Sequence, residues 1–337
     1  MKSKEIKGNY PLEVIPADAL SDVMATPAAL FVDISGDDSM VKILGNMYSH
    51  LQYKTYYTTP GINRLSKTLE LASNLGIKAV VLCGEKLPPF ESIVTGDSFT
   101  AALISAGSPA SSDDYILEQL LNNSATAEFS HIGYQTYRYS PDHLKLLHER
   151  NFEEIRLGLL RGNPANSEPM LRTKEHIFID LNSVRTGDFP HNTLKSPNGL
   201  YAEEICQLAR YAGMGQKVKN IYIYGYPSGL KHDAVSPQLA AEVAWHVAEA
   251  LSSSIYEDPG NSATEDLFLR KIVSMGQEGQ DIIFVTSSSS GRWWMEIPEI
   301  KSGNNQFIPC SYSDYATACS GEIPLRWLFF FQKINPN

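Results

Sequence analysis

The side chains best suited to chemistry form a small polar set near the middle of the chain. His191 follows Asp188 and Pro190 in a loop after an apolar run, with Asn198 a little further on. Folds of the α/β type place ligand sites outside the carboxyl ends of their strands. Asp188, His191 and Asn198 therefore make one candidate pocket; the other reading of His191 is a loop histidine facing water. His131 stands inside a strand-like run and is expected as a hydrogen-bonded core residue. His143 and His148 are not spaced to act as ligands from one helix face, and His246 beside Trp245 reads as packing.

Other chemistries lack their residues. No G-x-S-x-G elbow occurs, and in Gly225-Tyr226-Pro227-Ser228-Gly229 the serine comes one place too late. Neither G-x-G-x-x-G nor a Walker loop is present, so nucleotide binding has no support. Cys83, Cys206, Cys310 and Cys319 form no C-x-x-C pair. A zinc cluster is not expected, and nothing demands disulfides.

The elements that must position these residues alternate strand with helix. Strands are expected at 27–35, 78–83, 101–106, 128–135, 152–158, 176–181 and 220–226. Helices are expected at 62–76, from Ser112 with Asp113 and Asp114 in its first turn, from Ser140-Pro141 to about Arg150, at 201–212, and from a Ser236-Pro237 cap to about Ser253. Apolar strands separated by helices pair in parallel with both faces covered. The fold class is therefore α/β, a three-layer α/β/α domain with a mainly parallel sheet over residues 1–255. Residues 256–337 read as a small aromatic-rich C-terminal extension. It carries a β-hairpin (267–275 with 281–287), a run at 292–298 and a polar loop at 301–306, and is expected to pack on the main domain.

Composition narrows the partners. The 337 residues hold 28 Lys plus Arg against 38 Asp plus Glu, a net charge of −10, with 43% hydrophobic residues. That is enough apolar material for a core. Nucleic acid and anionic membrane both need a basic face, so neither is an expected partner. No run approaches the roughly 18–20 apolar residues of a membrane helix, and no apolar segment follows the charged N-terminus. The expected location is the cytoplasm.

Several passages from about residue 78 to 254 resemble the ureohydrolase family of arginase, agmatinase and formimidoylglutamase. Ser130-His131-Ile132-Gly133 is similar to that family's H-(I/V)-G-(I/L) strand. Phe178-Ile179-Asp180-Leu181-Asn182, followed by Asp188-Phe189-Pro190, is similar to its S-x-D-x-D-x-x-D-P strand and loop. Ser196 to Leu200 resembles its P-G-G-L turn, Ile221 to Pro227 its (D/E)-(V/I)-x-E-x-N-P strand, and Ser236 to Trp245 its following helix. Gly291 to Pro298 and Pro309 to Cys319 resemble an extension in a formimidoylglutamase-like bacterial branch. The resemblance implies an arginase-like fold and association into trimers or hexamers. It also implies hydrolysis of an amidine or guanidine by water held between two manganese ions.

The ligands that this chemistry requires are mostly missing. Two dications about 3.5–4 Å apart need a dense set of carboxylates and imidazoles. Where the family writes V-L-G-G-D-H the chain has Val81 to Lys86, so Lys86 replaces a histidine. Where it writes D-A-H-x-D the three ligands become Ser105, Gly107 and Pro109. In the third motif Asp180 remains and its partner is Asn182, and the substrate-contacting glutamate corresponds to Tyr224. One ligand of six survives. Lys86 has two readings: its ammonium pairs with Asp180 and replaces the lost metal charge, or it turns to solvent ahead of Pro88-Pro89.

The leading expectation is a pseudoenzyme of the ureohydrolase fold that works by binding, with no metal and no cofactor. The alternative is a manganese-dependent amidine hydrolase with a rearranged site. Trp293, Trp294, Trp327, Tyr312 and Tyr315 concentrate aromatics in the extension, which either cap a core or meet a protein partner or a second copy.

Overall fold

The computed structural model describes residues 4–6, 8–22, 29–50, 54–94, 96–107, 115–226, 233–275 and 281–336. It divides into two compact units. One comprises Met1–Ser167 and Leu171–Ser254, the other Glu168–Met170 and Ile255–Asn337.

The first unit is built on a ten-stranded sheet. Its strands are β1 (Lys4–Ile6), β2 (Leu12–Val14), β3 (Ala29–Asp33), β4 (Thr55–Thr58), β5 (Lys78–Gly84), β6 (Phe99–Ile104), β7 (Thr126–Tyr134), β8 (Glu153–Arg156), β9 (His176–Asp180) and β10 (Asn220–Tyr224). The spatial order is β1-β2-β4-β3-β5-β10-β9-β6-β7-β8. Only β1 runs antiparallel to its neighbour, and the other nine strands are mutually parallel. Val, Ile, Leu and Phe fill these strands because both faces are covered: Phe31, Val80, Leu82, Leu103, Ile177, Phe178 and Ile223 are all buried.

Helices complete the three layers. They are α1 (Ser39–Asn46), α2 (Leu65–Asn74), α3 (Tyr115–Asn122), α4 (Pro141–Glu149), the short α5 (Leu157–Gly162), α7 (Ala202–Gly213) and α8 (Val235–Ser252); all but the last residue of the short α6 (Glu168–Leu171) belong to the second unit. Leu65, Leu69 and Ala72 of α2, Leu117 and Leu120 of α3 and Leu147 of α4 share one core with Val81, Leu103, Phe129, Phe178 and Tyr222. Across the sheet, α7 and α1 both pack on α8. Ala240, Ala241, Ala244 and Ala248 of α8 are small enough for that close approach. Among the described residues, no helix is long and apolar enough to cross a membrane.

Local boundaries depart from the sequence reading in two places. The expected strand 152–158 ends at Arg156, and Leu157-Gly158 open α5 instead. Ser236 does not cap α8. It lies inside the helix, and the Asp233 carboxylate accepts from the Val235 and Ser236 N–H groups and from the Ser236 hydroxyl. By contrast Ser140 caps α4 as read, accepting from Asp142 N–H, with Pro141 in the first turn. The expected start of α3 at Ser112 to Asp114 lies outside the described residues.

The second unit is more than a hairpin. Its strands β11 (Phe268–Val273), β12 (Ile282–Ser287), β13 (Trp293–Pro298) and β14 (Asn305–Cys310) form an antiparallel sheet in that order. Asn305 and Gln306, read as loop, belong to β14. Two helices, α9 (Tyr312–Cys319) and α10 (Leu325–Ile334), contribute Ala318, Trp327 and Phe330 to a core with Phe284, Met295 and Ile297. Both faces of β13 are buried, with Trp294 2% and Met295 0% exposed.

Gly213 sits where α7 meets α8. A Cβ there would lie 2.4 Å from the Val247 carbonyl oxygen and 2.8 Å from the Ala250 Cβ. Gly213→Ala gains roughly 1 kcal/mol of helix propensity but overpacks a backbone contact. We expect a net loss of about 1–3 kcal/mol, read as a lower urea midpoint; an unchanged or raised midpoint would mean that the two helices part freely.

Candidate functional site

Strand order concentrates polar ends along the carboxyl edge of the parallel sheet. The chain leaves β5 and returns to the sheet as β6 three positions away, with β10 and β9 between them. Strands spaced about 4.8 Å apart thus bring the ends of β5, β10, β9 and β6 into a row. Such a switch point is where open α/β sheets hold ligands.

Asp180 ends β9 and is engaged at once by the turn that follows. Its Oδ1 accepts the Asn182 N–H at 2.9 Å and the Asn182 Nδ2–H at 3.1 Å. Asn182 is itself fixed. Its Oδ1 accepts from the Thr193 N–H at 2.8 Å and the Thr193 hydroxyl at 2.9 Å, and its carbonyl accepts from Asn192 Nδ2 at 3.0 Å. Gly225, with φ +83°, lies against the pair, and a Cβ there would come within 2.6 Å of both Asn182 Nδ2 and Asp180 Oδ1. Hydrogen bonds to a charged acceptor contribute about 1.5–3 kcal/mol each. An amide therefore does here what a second carboxylate could not: it donates to Asp180 rather than repelling it.

The other positions that the resemblance matched to metal ligands do not converge among the described residues. Lys86 is exposed in the turn after β5 and makes no ion pair with Asp180 among the described residues. An exposed pair contributes at most about 1 kcal/mol, too little to offset desolvating the ammonium. Gly84, at φ +77°, accepts from the Gly225 and Tyr226 N–H groups and turns the chain away. Gly107, at φ +84°, has no room for a side chain, since a Cβ would sit 3.0 Å from the Arg138 carbonyl oxygen. Tyr224 is partly buried and packs against the core. Pro109 lies outside the described residues.

Ser105 belongs to a different network. Its Oγ is 2.9 Å from His131 Nε2, and His131 Nδ1 is 2.9 Å from the Tyr139 hydroxyl. A nucleophile, a base and an orienting group stand in line, but they are 2%, 0% and 6% exposed. Burial drives the His131 pKa down to about 3, so the imidazole is neutral. Sealed in the core, the trio satisfies its own polar groups and holds β6 to β7. His131 as a hydrogen-bonded core residue was readable from its strand; its pairing with Ser105 was not.

Asp188, His191 and Asn198 have different hydrogen-bond partners. Asp188 pairs with Arg185 at 2.8 Å and accepts the Ala202 N–H at 3.1 Å, steadying the start of α7; the Arg185 bond lowers its pKa. His191 donates its backbone N–H to Ser236 Oγ at 3.1 Å. Asn198 is exposed, and its Nδ2 donates to the Tyr137 hydroxyl at 3.1 Å. Asn198 does line a cleft of about 230 Å³ with Gln135, Tyr137, Arg156 and Arg161. Sequence reasoning missed these four; the signal was their place just beyond the ends of two adjacent parallel strands.

This donor set does not suit a pair of dications. Among the described residues no three His, Cys, Asp or Glu side chains converge as metal ligands. Asp180 is spent on Asn182, Gly107 offers nothing, and Lys86 is a cation.

Comparison with solved structures identifies the fold. A Trypanosoma cruzi formiminoglutamase determined with Mn2+ matches at TM-score 0.57 and 14% identity, over 71% of this chain and 99% of that one. Bacillus subtilis formimidoylglutamase matches at TM-score 0.60 and 14% identity, over 76% and 95%. Arginase from Medicago truncatula matches at TM-score 0.51 and 12% identity, over 69% and 92%. No protein-family model matches the chain, and no curated protein matches it in sequence. The chain therefore has the ureohydrolase fold, with a further four-stranded antiparallel sheet at its C-terminal end.

Two predictions follow from the site. Asn182→Asp sets a second carboxylate beside Asp180 and removes a donor, costing about 1–3 kcal/mol at pH 7. The folded-state pKa of the pair rises, so the deficit should shrink as pH falls through the carboxylate range; a deficit constant with pH would exclude charge repulsion as its cause. The second concerns the buried histidines. His176 is lowered to about 4 by burial and His131 to about 3, against about 6.5 when unfolded. Below that value the unfolded chain binds protons that the folded chain refuses. Stability should fall by about 1.4 kcal/mol per pH unit for each imidazole from about 6.5 down to 4 (His176) and 3 (His131). Urea titrations at pH 7, 6 and 5 measure the slope, and His176→Asn should remove its own share.

Proposed function

We propose that this chain is a ureohydrolase-fold protein that acts by binding, as a scaffold, regulator or assembly partner, and does not hydrolyse amidines at a binuclear manganese centre. The observation that supports this reading is the bonding of Asp180. The one carboxylate left from the metal motifs is held by the backbone and side-chain amide of the residue that replaces its partner ligand. A metal pair would have to displace both bonds, and among the described residues no three His, Cys, Asp or Glu side chains converge to hold it.

The same edge retains the cleft lined by Gln135, Tyr137, Arg156, Arg161 and Asn198, which provides a place for a small ligand. Arg161 is committed to Glu204 at 3.0 Å. Arg156 is exposed and enters no ion pair among the described residues, so the cleft favours an anionic group.

The solved formiminoglutamases favour a second reading, a manganese-dependent hydrolase with a rearranged site. Metal content after incubation with excess manganese and desalting separates the two. Less than about a tenth of an equivalent is expected. Near two equivalents would overturn the binding reading and make formimidoylglutamate the first substrate to assay.

A further inference from the structure

We propose that the outer edge of β11 receives an extended protein segment with an acidic pair between two apolar residues as a fifth strand of the C-terminal sheet. The inference is independent of the metal question, because it concerns only the second unit.

The hydrogen-bond pattern identifies which backbone groups are free. Ser288 N–H donates to the Leu267 carbonyl, and Ser287 N–H donates to the Arg292 carbonyl on the other side of β12. Alternation along an antiparallel ladder then turns the N–H and C=O groups of Phe268, Arg270 and Ile272 away from β12. Six residues of β11 pair with β12 without a bulge, so this edge is straight and continuous. It contains neither proline nor glycine.

The opposite edge is blocked. Pro309 lies across from Trp294, at a position that faces outward by the same alternation. It has no N–H to offer, and its carbonyl is taken by Arg326 Nε at 2.8 Å. Edge strands left open are the ones that accept a further strand.

The side chains of β11 specify the occupant. Leu269 is 57% and Ile272 68% exposed, and Arg270 and Lys271 between them are also exposed. A second copy of β11 fits poorly. Antiparallel pairing about a two-fold axis sets residues of the same face opposite each other, so the central pair is Arg270 with Arg270 or Lys271 with Lys271. Like charges directly opposite are destabilising. The complementary strand reads apolar, acidic, acidic, apolar against Leu269, Arg270, Lys271 and Ile272. Arg270 already reaches Glu296 at 3.0 Å, so Lys271 is the cation freer to discriminate.

The test uses the full chain and a fluorescein-labelled peptide, Thr-Val-Glu-Glu-Ile-Thr, followed by fluorescence anisotropy. Saturable binding is expected, weakened by added salt. Lys271→Glu should weaken it at least about five-fold and admit the Thr-Val-Lys-Lys-Ile-Thr peptide in its place. Ile272→Pro removes an outward N–H while leaving the β12 ladder intact, and should abolish binding in a protein whose melting curve is little changed. Absence of saturable binding to the unaltered chain, or binding that survives Ile272→Pro, overturns the proposal. So does light scattering that finds a dimer dispersed by Ile272→Pro, since a second copy would then be the occupant.

Discussion

A carboxylate at the end of a parallel strand buried on both faces must be answered by donors, and Asp180 meets that demand locally. Asn182 supplies two N–H groups, Thr193 holds Asn182, and Asn192 ties the Asn182 carbonyl into the loop beyond. Gly225 is required beside them because any Cβ would strike both side chains. The 180–193 loop and the exit of β10 thus depend on a single charge. Two N–H groups of Asn182 point at that charge.

The rest of the edge follows the same logic. Three of the positions that the resemblance matched to ligands make other contacts. Ser105 bonds to His131, Gly107 makes a left-handed turn under the Arg138 carbonyl, and Lys86 remains hydrated. Buried polar groups that are hydrogen-bonded to one another stabilise the fold, while half-satisfied ones do the reverse.

Polar satisfaction also distinguishes the edges of the second sheet. Pro309 and Arg326 close one side, while Phe268, Arg270 and Ile272 leave the other unpaired. Of the aromatic residues singled out in the sequence, Trp294 and Trp327 are buried, Trp293 stacks on Tyr315 with centroids 4.8 Å apart, and Tyr312 is exposed. The exposed apolar surface of β11 is aliphatic, and no aromatic count could point to it.

Much of the first unit was legible because its signals are local. Alternating apolar runs and helical stripes located the strands and helices, and Ser140-Pro141 marked a helix start. Which groups meet was decided only by strand order and register. Packing of segments distant in sequence put Ser105 on His131 and set Asn198 beside Tyr137. The 305–310 run reads as polar loop until β13 lies beside it and supplies its ladder partners. Side-chain periodicity is a property of one segment, but a hydrogen bond needs two, and the second is chosen by the packing of the whole chain.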